Sequence, residues 1–349
     1  MSKFLRIRFN SLVALLISSL IFSIALESRS YADTKLCLTQ NSSTPKLGTL
    51  TVSGQASQLT TVQWGVEQGC YAQFGLQVKV APVATTQIAL AAVAGTSSDL
   101  VVTTPTNLIE AKANGNVPIV FVAPRHEYTA DQLKSARNNS LVNGKLVLQT
   151  ALIVGKNSSI NGFNNLEHKK IALQSFQGAD HAGLILLMKA LGEDVSTVEF
   201  LSLPVEQMPA ALDSGNVDGV IASEPFATQI LKSGGRVIGY PNAYFSDPGV
   251  AVAYATTASV AKKKLKALRA FQKATLLINH LLNQPENLKS YQSSAQISSG
   301  ITQSAASVLK LPLMSEKNIA AKDFTYVVNE LNLAGFVTRD VDLQSMILK

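Results

Sequence analysis

The chain repeats itself at a shift of 120 residues, and this repeat limits the folds open to it more than any other feature. Ala94-Gly95-Thr96-Ser97-Ser98-Asp99-Leu100-Val101-Val102 is followed by Pro105 and by Gly115-Asn116-Val117. Ser214-Gly215-Asn216-Val217-Asp218-Gly219-Val220-Ile221 is followed by Pro225 and by Gly235-Arg236-Val237. Pro105 and Pro225, Gly115 and Gly235, and Val117 and Val237 each stand 120 apart, and the alternating segments at Val78/Val80 and Val198/Phe200 keep the same shift. Ahead of each lies a strand, a polar loop and a helix. In the first copy these are Leu50-Thr51-Val52, Ser53-Gly54-Gln55 and a helix ending near Gly69; in the second, Ile171-Ala172-Leu173, Gln174 to Gly178 and a helix through Leu191.

The second helix has the clearest signal. Leu184, Leu187, Met188 and Leu191 fall at i, i+3, i+4 and i+7, and Gly192 follows as a stop. Strands alternating with helices indicate parallel βαβ units. Two such units in one chain predict an α/β protein of two similar lobes, each a mostly parallel sheet flanked by helices. The apolar run Val117–Val122 returns at Ala151–Val154, and a matching passage follows Val237 and leads to Val250–Tyr254. We read these as two hinge crossings. They place lobe 1 at 33–125 and 245–349 and lobe 2 at 126–244. The C-terminal part opens with a helix striped by Leu268, Phe271, Thr275, Ile278 and Leu282. The basic run Lys262–Lys266 at its start is a solvated face or a docking patch.

Residues 1–32 read as an address. Lys3, Arg6 and Arg8 precede an uncharged run from Leu12 to Leu26, and Ser30-Tyr31-Ala32 has the small-x-small form of a cleavage site. The run is shorter than the roughly 20 residues of a spanning helix. A signal peptide, and hence a periplasmic protein, is the expectation. These residues carry four positive side chains (Lys3, Arg6, Arg8, Arg29) and one negative (Glu27), so their removal takes the formal charge from +7 to +4. That is weak for a nucleic-acid binder, and a monomer with no nucleic-acid partner is expected. Two cysteines exclude a disulfide-dense scaffold. In an oxidising compartment Cys37 and Cys70 either pair or remain two thiols.

Ligands of parallel α/β sheets bind beyond the carboxyl ends of the strands. Four loops qualify, each rich in hydroxyls or amides and each opening a helix. They offer Ser53 and Gln55; Thr103, Thr104 and Thr106; Gln174, Ser175, Gln177 and Gly178; and Glu224 and Phe226. Helix N-termini hold unpaired N–H groups and favour an anionic group; the alternative is plain helix capping. Glu224 would accept from an ammonium, amidine or ring N–H, or would stabilise its own helix. Phe226 would wall the ligand or join the core, and Trp64 reads more as core than as a stacking surface. Arg125 and His126, near a crossing, would meet an anion or be solvated.

Enzyme signatures are scarce: there is no G-x-S-x-G, H-E-x-x-H, P-loop or G-x-G-x-x-G. His126, His168, His181 and His280 lack metal spacing and are expected at the surface or at caps. No cofactor and no metal are expected.

Four stretches together resemble the periplasmic solute-binding proteins of ABC importers, in the SsuA/THI5-like (NMT1) group that handles nitrate, sulfonates, taurine and pyrimidines. They are Glu67 to Val78; Leu212 to Val220 with Glu224-Pro225-Phe226; Gln284-Pro285-Glu286-Asn287; and Gly335 to Leu343. The resemblance implies a type II periplasmic-binding-protein fold whose lobes close over a small anionic or zwitterionic solute. It implies a membrane permease and an ATPase as partners, and a cleft at Ser53, Gln55, Thr104, Ser175, Gln177 and Glu224. Cys70 stands where the group usually has an aromatic residue. The rival expectation is a hydrolase on the same scaffold, of the sulfinate-cleaving type, with a cysteine nucleophile; that would need Cys70 free and in the cleft.

Overall fold

Ten strands build two five-stranded sheets on one plan. They are β1 (Gly48–Gly54), β2 (Leu76–Pro82), β3 (Leu100–Thr103), β4 (Ile119–Tyr128), β5 (Thr150–Val154), β6 (Lys170–Leu173), β7 (Glu199–Ser202), β8 (Gly219–Ser223), β9 (Arg236–Gly239) and β10 (Gly249–Thr257). The computed structural model describes residues 35–37, 44–138, 141 and 145–349; the segment 1–32, read as a signal peptide, lies outside them. The first sheet has the order β2-β1-β3-β10-β4 and the second β7-β6-β8-β5-β9. In the first, β1 is parallel to β2 and β3, while β10 runs against β3 and β4. In the second, β6 is parallel to β7 and β8, while β5 runs against β8 and β9. The reversed strand of each sheet is the one that has just arrived from the other, β5 after β4 and β10 after β9.

Both faces of each sheet are covered, which is why the strands read as nearly continuous apolar runs. Leu100 and Val102 join Val120, Val122, Trp64 and Phe271 on one side of the first sheet. Val101 joins Ile119, Phe121 and Phe324 on the other. In the second sheet Ala151, Ile153 and Val220 face one way, and Leu152, Val154 and Ile221 the other. Trp64 is fully buried and donates Nε1–H to Ser290 at 2.9 Å, a core role. The repeated aspartates are stitches between strands: Asp99 accepts the Thr51 N–H at 3.0 Å and Asp218 accepts the Lys170 N–H at 2.8 Å.

The helix ending at Leu191 spans Ala179–Leu191, and Gly192 closes it at φ 79°, where a glycine carries no Cβ penalty. The helix near Gly69 spans Ala56–Glu67; Gly69 at φ 75° then starts a separate turn, Cys70–Gln73. The C-terminal part opens with Ala258–Leu282, burying Leu268, Phe271, Thr275, Ile278 and Leu282. The basic run at its start is exposed, and Lys264 pairs with Asp99 at 2.7 Å. No helix among the described residues is long and apolar enough to cross a membrane. Cys37 and Cys70 form a disulfide with their Cα atoms 4.8 Å apart.

Candidate functional site

A cleft of about 130 Å³ lies between the carboxyl ends of the two sheets, and most of the residues that line it carry polar side chains. From the first sheet it takes Gln55, Thr103, Thr104 and Asn107, with Arg125, His126 and Tyr128 from β4. From the second it takes Thr150, Gln174, Ser175, Gly178, Asp180, Ser223, Glu224 and Asn242. Tyr291, Ser299, Ile301 and Lys310 close it from the C-terminal part.

Several of the expected residues stand elsewhere. Ser53 is fully buried and donates to the carbonyls of Leu100 (3.2 Å) and Ala89 (3.4 Å), turned away from the cleft. Thr106 lines a smaller neighbouring hollow with Ser246 and Tyr326. Gln177 has φ 59° and gives its N–H to His181 Nδ1 at 3.0 Å, fixing the loop before the helix rather than lining the cleft. Phe226 packs against the core of the second sheet and lines a separate cavity with Ile301 and Val308. Thr104 caps its helix, accepting the Asn107 N–H at 3.5 Å, and also receives the Asn107 amide at 2.9 Å; that amide reaches Thr103 at 3.2 Å. Glu224 lines the cleft, yet both its oxygens are engaged, by the Thr228 N–H (3.1 Å) and hydroxyl (2.8 Å). Burial raises its pKa, while Thr228 and the nearby Lys310 act the other way.

Arg125 and His126 are not solvated; they are 5% and 4% exposed. Strict alternation would put neighbours of a strand on opposite faces. The β4–β10 register slips here: Glu127 faces Val250, His126 faces Val252 and Pro124 faces Ala253, so Arg125 and Ala251 have no partner across the ladder. Such a bulge re-aims side chains. The Arg125 guanidinium donates to Thr61 Oγ1 (3.1 Å), Tyr291 Oη (3.3 Å) and His126 Nδ1 (2.9 Å). Among the described residues it has no carboxylate partner. Burial first, and then Arg125, push the His126 pKa well below its usual value, so the ring is neutral. His181 is also buried rather than at the surface, packed between Phe176, Phe200 and Phe336, and burial lowers its pKa to about 4.

The residues that the sequence reading missed form a chain of hydrogen bonds on the second sheet's side. Thr150 Oγ1 donates to Asp180 Oδ1 at 2.9 Å. Asn242 Nδ2 donates to Thr150 Oγ1 at 3.0 Å and to Tyr128 Oη at 3.3 Å. Burial raises the Asp180 pKa to about 6, with the Thr150 bond opposing. Asp180 stands two residues beyond Gly178 in the first turn of Ala179–Leu191, where an acidic residue reads only as a complement to the helix dipole. The helix approaches Asn242 closely because Gly183 lies against the backbone of Pro241 and Asn242, with no room for a side chain. Asn242 and Tyr291 carry no sequence signal that we recognise.

This arrangement defines a binding cleft between two α/β halves, the class of the periplasmic binding proteins. The NMT1-like family model matches residues 40–296, and the chain belongs to that family. No curated protein sequence matches it. Among solved structures it is similar to the alkanesulfonate-binding protein SsuA from Xanthomonas axonopodis pv. citri bound to MOPS, at 14% identity and TM-score 0.68, covering 88% of this chain and 99% of that one. It is similar to the periplasmic nitrate-binding protein NrtA from Synechocystis PCC 6803, at 14% identity and TM-score 0.65, covering 85% and 84%. The desulfurization enzyme DSZB shares the fold at 10% identity and TM-score 0.57, covering 86% and 96%. A cysteine nucleophile of the kind weighed above has no support here. The chain's two cysteines are joined to each other, and neither lines the cleft.

Proposed function

We propose that this protein is the solute-binding component of an ABC importer, exported by its N-terminal segment to the periplasm. There it would capture a small solute, anionic or zwitterionic, of the sulfonate, taurine, nitrate or pyrimidine type and deliver it to a membrane permease driven by an ATPase. It would act as a monomer and not as an enzyme. The observation that carries this reading is Arg125. A guanidinium is held deep in the cleft by neutral partners alone, and a buried charge without a counter-ion is costly unless something supplies one. An anionic ligand does so through charge-assisted hydrogen bonds. Family membership and the roles of the similar structures support the same reading.

The test is thermal unfolding of the purified protein with nitrate, alkanesulfonates, aminosulfonates and aminopyrimidines at millimolar concentration. A ligand at 100 times its Kd stabilises by about 2.7 kcal/mol, a shift of several degrees. A panel in which no compound moves the midpoint overturns the proposal.

A further inference from the structure

Among the described residues four buried side-chain atoms of the cleft lack a partner, Gln58 Oε1, His126 Nε2, Ser223 Oγ and Asn242 Oδ1, and two of them, His126 Nε2 and Asn242 Oδ1, lead further than an acidic solute. This step rests on the reading just given. Arg125 can only donate, so His126 Nδ1 accepts and the hydrogen of the neutral ring sits on Nε2. That Nε2 is buried with no partner. One side of the cleft therefore holds a guanidinium without a carboxylate, whose neutral partners leave its charge uncompensated, and an imidazole N–H without an acceptor.

The other side holds acceptors. The single hydroxyl hydrogen of Thr150 goes to Asp180 Oδ1, so the atom of Asn242 that meets Thr150 has to be its NH2. This orients the amide and leaves Asn242 Oδ1 buried with nothing to accept. Among the described residues Asp180 has no Lys, Arg or His within ion-pair distance. Glu224, the carboxylate that the sequence brings forward for this task, spends both oxygens on Thr228. The two sides are joined through Tyr128, which receives the Asn242 amide and lies edge-on to His126 with ring centres 5.7 Å apart. A buried cation and a half-buried carboxyl thus share one cleft without pairing with each other.

We propose that the solute is a zwitterion, whose acidic group docks on Arg125 and His126 and whose cationic nitrogen is received by Asp180 and Asn242, with Asp180 deciding between aminated and amine-free acids. A molecule with charges of both signs serves Arg125, His126 Nε2, Asp180 and Asn242 Oδ1 at once; a plain anion leaves Asp180 and Asn242 Oδ1 unserved.

The experiment is calorimetric titration of the full chain at pH 7.5 with matched pairs: 2-aminoethanesulfonate against ethanesulfonate, 3-aminopropanoate against propanoate, and 2-aminoethylphosphonate against ethylphosphonate. For at least one pair the aminated member is expected to bind tenfold or more tightly than its partner. Asp180→Asn is expected to close that gap by weakening the aminated member alone, and its thermal midpoint without ligand, no lower than that of the native protein, separates this from misfolding. Amine-free acids binding as tightly as the aminated ones would overturn the zwitterion and leave solute capture standing, as would a gap that survives in Asp180→Asn. Binding by no member of any pair would overturn the zwitterion, and solute capture would then stand or fall on the nitrate and aminopyrimidine arms of the thermal panel.

Discussion

Replacing Asp180 by asparagine should make the ligand-free protein more stable at neutral pH, and the size of the effect follows from where the carboxyl sits. Burial lifts its pKa to about 6 in the folded chain from the ordinary aspartate value of 3.8. A carboxyl raised in this way binds its proton more tightly folded than unfolded, so ionising it costs folding stability. The cost is absent below about pH 4, grows between about pH 4 and 6, and is constant above. Two pKa units correspond to about 3 kcal/mol. The side chain is only half-buried within the cleft, so about 1–3 kcal/mol is the expected gain. Asparagine keeps an acceptor for the Thr150 hydroxyl, so the hydrogen-bond chain through Asn242 survives. Urea unfolding of both proteins at pH 4 and pH 7.5 reads the difference directly. The variant should gain at pH 7.5 and lose most of that advantage at pH 4. Equal stability at pH 7.5, or an offset that does not change with pH, would show that the carboxyl is not destabilised by its surroundings and would refute the reasoning.

Three other outcomes are expected. Arg125→Ala should weaken binding of acidic solutes by on the order of 100-fold, the loss of charge-assisted bonds worth about 3 kcal/mol; unchanged affinity by calorimetry would place the anion elsewhere. Joint replacement of Cys37 and Cys70 by serine should cost about 3–4 kcal/mol by the chain-entropy argument for a separation of 33 residues, leaving solute affinity within twofold because neither residue lines the cleft; chemical denaturation and titration check the two halves. Gly183→Ala places a Cβ against the carbonyl of Pro241 and should cost about 2 kcal/mol or more, since backbone yields less readily than a side chain. It should also weaken solute binding by pushing Asn242 off Thr150; a variant as stable as the native protein would show that this contact is loose.

The sheets were legible because their signals are local and repeated. The paired prolines and glycines 120 residues apart bracket equivalent units, and Leu184, Leu187, Met188 and Leu191 carry a helical period through to Gly192. The cleft was legible in part, because a loop after a parallel strand lies at the carboxyl end whatever its sequence: Gln55, Thr103, Thr104, Gln174, Ser175, Gly178 and Glu224 all line it. Ser53 faces inward because a strand's last residues still alternate, a parity that the loop's polar composition hides. Arg125 and His126 were ambiguous because a register slip overrides strand periodicity, and nothing local announces the slip. Asn242 and Tyr291 meet the cleft only through tertiary packing, the first because Gly183 admits its backbone, the second from a helix far along the chain.

The slipped ladder of β4 and β10 has a mechanical consequence. These two strands carry the chain on its way out of the first sheet and on its way back, and the end of one of them bears Arg125, His126 and Tyr128. A guest docked there, as proposed above, would be gripped where the chain leaves the first sheet and not at either rim. Twisting one half against the other would strain that grip before it disturbed any other contact, so occupancy and torsion would report on a single coordinate, and a probe on β4 would read both.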